Sequence, residues 1–133
     1  MSNDTITLTV PAKPEYVMVT RLTSAAFASR LGFDVDQIED IKMSVAEAII
    51  LILNQAVRPE ELLIKFKHLD QCIHIDITGQ GEWIETNISS QDIDHAQLSR
   101  YILGSMMDEV EFKTDNGIMR EICMHKGCGG LAD

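Results

Sequence analysis

Asp34-Val35-Asp36-Gln37-Ile38-Glu39-Asp40-Ile41-Lys42-Met43-Ser44-Val45-Ala46-Glu47-Ala48-Ile49-Ile50-Leu51-Ile52-Leu53 runs without a glycine or a proline. Within it Ile38, Ile41, Val45, Ala48, Ile49 and Ile52 recur at the three- and four-residue spacing of one helical face. Asp34, followed three residues later by Gln37, resembles a capping pair, so the spacing predicts a helix opening there and reaching about Ala56. Towards its end, from Ile49 to Leu53, the helix becomes apolar all round. Such a segment is expected to be buried on more than one side, against a sheet and against a second subunit.

Upstream, Ile6-Thr7-Leu8-Thr9-Val10 alternates as a half-buried strand does, and Pro11 and Pro14 end it. Pro14 suits the first turn of a helix and Gly32 its C-terminal cap. Between them Met18, Leu22, Ala25 and Ser29 share a stripe, with Val19 and Ala26 beside it. Downstream, Leu62 to His68 and Cys72 to Thr78 read as strands joined by a turn at Leu69-Asp70-Gln71. Ile73, Ile75 and Ile77 point one way, and Cys72, His74, Asp76 and Thr78 the other. Gly79-Gln80-Gly81 breaks that pattern, and the polar stretch from Glu82 to Asp94 has no strong period. A third helix is expected from about Ile93 to Met107, carrying Leu98, Tyr101, Ile102, Ser105 and Met106. Strands over Glu109–Thr114 and Ile118–His125 then flank Asp115-Asn116-Gly117, a strong hairpin signal. The order predicts an α+β, two-layer sandwich: helices on one face of a mixed, mostly antiparallel sheet, in a single domain over residues 1–133.

The 133 residues suffice for a sizeable core, and the 45% apolar content excludes a disordered chain. The longest apolar run, Ala48 to Leu53, falls far short of the roughly 18–20 residues of a membrane span. Met1-Ser2-Asn3-Asp4 has neither a basic n-region nor an apolar core, so no signal peptide and a cytoplasmic location are expected. Three cysteines, an odd number, argue against a disulfide framework. A net charge of −10 makes direct nucleic-acid binding unexpected, because phosphates need a basic surface. A basic protein partner fits it better.

Val10-Pro11-Ala12-Lys13-Pro14-Glu15-Tyr16-Val17, Arg21-Leu22-Thr23, Ala28-Ser29-Arg30-Leu31-Gly32, Ile38-Glu39-Asp40-Ile41-Lys42 and Val45-Ala46-Glu47-Ala48 carry a resemblance. Together with Met106-Met107-Asp108-Glu109-Val110 and Asn116-Gly117, they resemble the stress-response and sporulation anti-sigma factors. These are serine kinases of the histidine-kinase-like ATPase superfamily. The likeness spans about residues 6–125 and is strongest up to Ala48. It implies a nucleotide site built from three boxes. The first, Glu-Ala-x-x-Asn, places a base at Glu47 and a Mg²⁺-binding asparagine where this chain has Leu51. Mg²⁺ takes hard oxygen ligands, which leucine lacks. Asn54, three residues on, could replace it only in a rearranged site. The second, Asp-x-Gly, reads adenine through its acid and here becomes Gly79-Gln80-Gly81. Loss of such a charged hydrogen bond costs about 1.5–3 kcal/mol. Asp76, three residues back, is the other carboxylate to consider. The third, a glycine-rich turn before the last helix, here reads His95-Ala96-Gln97-Leu98-Ser99-Arg100-Tyr101-Ile102-Leu103, without glycine until Gly104.

The expected function is therefore a regulator that sequesters a sigma factor or engages an anti-anti-sigma domain, as a homodimer, with no membrane role. Neither cofactor nor metal is expected. The alternative is an active serine/threonine kinase using ATP and Mg²⁺ on an anti-anti-sigma partner. A third reading, a small-ligand sensor, predicts a cavity near Leu51, Gly79 and Leu98. By the resemblance Arg21, adjoined by Glu15 and Tyr16, sits where relatives contact partners; otherwise it is a solvated helix residue. Glu47 is either a vestigial base or a polar residue left on a buried helix. Trp83 either covers the altered pocket or an interface, or anchors local core. Cys123, His125 and Cys128 lie close enough to suggest a metal, but a zinc site needs a fourth ligand and a conventional spacing, and His95 or His74 would supply that ligand only by luck of the fold. A fraying C-terminal strand is the simpler reading.

Overall fold

A computed structural model describes residues 4–88 and 93–127. The chain opens on β1 (Thr5–Pro11), turns through a 3-10 segment at Pro14–Tyr16 and continues as α1 (Val17–Ser29) and α2 (Val35–Leu53). Then come β2 (Val57–Arg58), β3 (Glu61–Leu69), β4 (Cys72–Gln80), β5 (Ile84–Glu85), α3 (Ile93–Met106), β6 (Glu109–Asp115) and β7 (Ile118–Gly127). The main sheet has the order β1-β3-β4-β7-β6, and each of its pairings is antiparallel rather than mixed. β2, just after α2, and β5, inside the segment that has no sequence period, form a separate two-stranded ribbon. Among the described residues no helix is long and apolar enough to cross a membrane.

α2 is the centre of the helical layer, packed against α1, α3 and the middle strands β4 and β7. Its start is the expected capping box: Asp34 Oδ1 accepts from the Gln37 amide at 2.8 Å, and Gln37 Oε1 accepts from the Asp34 amide at 3.0 Å. Ile41, Val45, Ala48, Ile49, Leu51, Ile52 and Leu53 are all buried, and Ile50 alone of the final run is exposed. The all-round apolar end is thus covered largely by the chain itself. Beyond it, the Gln55 side-chain amide imitates a strand. It accepts from the Met119 amide at 2.7 Å and donates to the Met119 carbonyl at 2.9 Å.

α1 forms as expected, and the face it buries is not its apolar stripe. The stripe of Met18 and Leu22 points to solvent, with Met18 56% and Leu22 58% exposed, while Thr20, Ser24, Phe27 and Ala28 are buried. Burial of two hydroxyls is tolerated because Thr20 donates to the Tyr16 carbonyl (3.3 Å) and Ser24 to the Arg21 carbonyl (2.7 Å). α3 behaves likewise: Ser99 and Leu103 are buried, and Leu98 and Tyr101 are exposed.

In the sheet, Leu62, Ile64 and Phe66 of β3 and Ile73, Ile75 and Ile77 of β4 face the helices. The β3–β4 turn is Asp70-Gln71 and the β6–β7 turn Asn116-Gly117, each with both residues at positive φ, as tight hairpins require. β7 carries a bulge: Lys113 pairs with Glu121 and Thr114 with Met119, so Arg120 is an extra residue. Met119, Ile122 and Met124 are consequently all inward, although the first two lie three apart.

Candidate functional site

The candidate positions fall on three parts of this frame. Glu47 and Leu51 lie one turn apart on α2, Gly79 and Gly81 close β4, and Glu15, Tyr16 and Arg21 surround the start of α1. The half-buried Glu47 has a partner: Ser99 Oγ, on α3, donates to Glu47 Oε1 at 2.8 Å. Ser99 was not singled out by the sequence; a lone serine on an amphipathic helix gives no signal until its neighbour across the interface is known. One turn on, Leu51 is 6% exposed and belongs to the hydrophobic core. Asn54 is the exposed C-cap of α2, its amide bonded to the Ile50 carbonyl at 2.9 Å. It sits at the helix end, away from the buried Leu51 position. The residues present offer Mg²⁺ an aliphatic side chain where an oxygen would be needed.

Gly79 and Gln80 lie inside β4, so the strand breaks only at Gly81, whose φ of +83° suits glycine. At Gly79 the reason for glycine is contact. A Cβ there would collide with the Trp83 ring and lie 2.9 Å from Pro59 Cγ. Trp83 is half-buried against the core, and the Arg120 guanidinium stacks 4.5 Å above its ring centroid. Of the roles weighed for Trp83, these contacts describe the local core anchor. Its loop is tied down by Thr86, which donates from Oγ1 to the Gln55 carbonyl (2.7 Å) and from its amide to the Ala56 carbonyl (2.8 Å). A planar base stacking on Gly79 would meet the indole. Asp76 cannot stand in for the missing acid, because it faces the opposite side of the sheet, ion-paired with Lys67 at 3.0 Å. Leu98 is exposed, whereas Leu51 is packed in the core.

Glu15 and Tyr16 are exposed beside Met18, Val19 and Leu22. Arg21 is half-buried, and its Nε is enclosed without a hydrogen-bond partner among the described residues. A guanidinium with an unused donor amid exposed apolar side chains has the composition of an interface centre.

The open face of the sheet gathers a second set. His74 and His125 lie opposite each other with ring centroids 5.1 Å apart, and Asp76 lies opposite Cys123. They line a shallow depression of about 210 Å³ with Glu109 and Glu111. Asp76, Glu121 and Cys123 have donor atoms within 4.8 Å of one another. Burial, then the Asp76 and Glu121 carboxylates, push the Cys123 thiol from its ordinary 9.0 up to about 12. Burial and His125 lower the pKa of His74. Cys123 and His125 share this face as expected, whereas Cys128 and the His95 side chain lie outside the described residues.

Comparison with known proteins is consistent across the chain. Residues 10–126 match the histidine kinase-like ATPase domain. The serine-protein kinase RsbW of Halalkalibacterium halodurans is 34% identical, with 87% of this chain and 80% of that protein covered. RsbW of Bacillus velezensis is 30% identical over 88% of this chain and 82% of its own length. RsbW of Listeria innocua is 30% identical, over 87% and 83%.

Proposed function

Because the chain belongs to the histidine kinase-like ATPase domain family, we propose that it is an anti-sigma-factor-like regulator of transcription in which protein binding has outlived nucleotide chemistry. It acts in the cytoplasm, as a homodimer, by gripping a sigma factor or an anti-anti-sigma domain. The observation that carries the reading is Leu51, buried in core where the metal-binding residue of the first box is expected. The indole over Gly79 supports it from the adenine side. Partner binding is assigned to Arg21 with Glu15 and Tyr16, where exposed Met18, Val19 and Leu22 supply apolar area around an unused guanidinium donor. Burying those side chains against a partner is worth about 25 cal/mol per Å² of apolar surface.

The second reading, a serine kinase acting on an anti-anti-sigma partner, is favoured by one observation. Glu47 is retained, half-buried, with its carboxylate oriented by Ser99, and the relatives are named serine-protein kinases. Calorimetric titration with ATP and Mg²⁺ separates the two. The first reading expects no heat of binding up to millimolar ATP, with sigma-factor binding intact and weakened at least tenfold by Arg21→Ala. Micromolar ATP binding, or transfer of phosphate to an anti-anti-sigma serine that Glu47→Ala abolishes, would establish the kinase instead.

A further inference from the structure

The face of the main sheet turned away from the helices gathers its chemistry around one side chain. Cys123, half-buried on β7, lies opposite Asp76 on β4 and opposite Glu111 on β6. Residues two apart along a strand point to the same face, so Glu121 and His125 stand on either side of it. Each of these neighbours is a residue type that ligates metals. The cluster is mixed, with sulfur, carboxylate and imidazole together, and is not a patch of acids alone.

Geometry narrows the set. The donor atoms of Asp76, Glu121 and Cys123 lie within 4.8 Å of one another. Bonds of about 2.0–2.3 Å to a tetrahedral zinc ion set its donors roughly 3.3–3.7 Å apart. Cys123 Sγ and Glu121 Oε2, at 3.4 Å, already hold that separation. Small side-chain rotations close the remainder. Both carboxylates are also held from outside. Lys67 Nζ lies 3.0 Å from Asp76 Oδ2, and Lys113 Nζ lies 3.8 Å from Glu121 Oε1. Glu121 thereby divides its oxygens between an ammonium group and the thiol, the outer support that metal-bound carboxylates receive. The depression lined by Asp76, Cys123, His74 and His125 leaves a fourth position beside the three.

We propose that Asp76, Glu121 and Cys123 bind a thiophilic divalent cation of the Zn²⁺ type on the open face of the sheet, with the fourth position turned to the His74–His125 depression. Binding displaces the thiol proton. The Cys123 S–H bond breaks, its electron pair forms the sulfur–metal bond, and the proton leaves to solvent. A thiolate and two carboxylates brought to one point repel one another. A divalent cation offsets two of their three charges, and the flanking Lys67 and Lys113 offset the remainder. Thiolate selects such an ion over Mg²⁺ and Ca²⁺, which take oxygen ligands. These are not the residues that sequence spacing brought together. Cys123 is common to both sets, and Asp76 enters only through the pairing of β4 with β7. The site lies across the sheet from α2 with its Glu47 and Leu51, so it does not depend on the proposed function.

Optical titration of the full chain with Co²⁺, after removal of metal by a chelator, tests the site, and competition gives the Zn²⁺ affinity. A sulfur-to-cobalt charge-transfer band and the intense visible bands of a tetrahedral ion are expected to saturate at one Co²⁺ per chain. Zn²⁺ should bleach them, and Mg²⁺ should not. Cys123→Ser should remove the charge-transfer band, whereas Cys72→Ser combined with Cys128→Ser should leave it, which assigns it among the three cysteines. Asp76→Asn and Glu121→Gln should each weaken Zn²⁺ binding roughly tenfold or more, since even outer-shell partners cost that much. Both keep the shape of the side chain and are expected to keep the circular dichroism of the wild type. They decide the question should Cys123→Ser fail to fold. Absence of the charge-transfer band, its survival in Cys123→Ser, or a Zn²⁺ affinity indifferent to both carboxylate changes would overturn the inference.

Discussion

At Gly79 the chain passes so close to the Trp83 ring and Pro59 that a methyl group has nowhere to go. Overpacking of this kind typically costs about 1–3 kcal/mol. Gly79→Ala should therefore lower the urea midpoint by that much, and Trp83→Ala in the same chain should recover part of the loss, a coupling that a double-mutant cycle reads directly. If the proposed function is correct, Trp83→Ala alone should not create ATP affinity, since Leu51 still lacks an oxygen. Cys123 gives a second prediction at this scale. Its thiol is raised to about 12 in the folded chain from an ordinary 9.0, so the unfolded chain releases its proton first. Below pH 9 that contribution to stability is fully present. It is lost progressively as pH rises from about 9 towards 12, and thermal melts of Cys123→Ser should show a shallower alkaline decline than the wild type.

Among the elements, α2 organises the rest, and its capping box is the most exposed of its supports. Asp34→Ala removes the acceptor of the Gln37 amide and should cost about 1 kcal/mol in chemical denaturation, with Asp34→Asn close to neutral. The elements legible in the sequence were those that announce themselves locally: Asp34 with Gln37, the alternation of Ile73, Ile75 and Ile77, and Asn116-Gly117. The histidine-kinase-like family was legible too, through motif runs as far as Ala48. What stayed hidden depends on contacts between distant segments. The β2–β5 ribbon joins segments far apart in the chain, and Ser99 matters only because Glu47 is across from it. The Met18–Leu22 stripe marked a helix correctly but not which side is buried, because small hydroxyl residues that satisfy themselves can line an interior as well as apolar ones can.

For the molecule as a whole, the net charge of −10 acts on encounter more than on affinity. Association with a basic sigma factor should slow by roughly tenfold or more from low to molar salt, with dissociation little changed, in stopped-flow measurement. A salt-independent rate would place the partner's contact surface away from the protein's acidic field. One feature of the large sheet also bears on how such a chain can change length. Within the stretch of β7 that pairs with β6, Ile118 to His125, Arg120 is the one residue that the β6 ladder skips. Its removal would leave Met119, Ile122 and Met124 on the face they hold, whereas removal of Cys123 would turn one flank of the strand inside out. In the language of genes, this strand has a codon at which a deletion stays in frame with the fold.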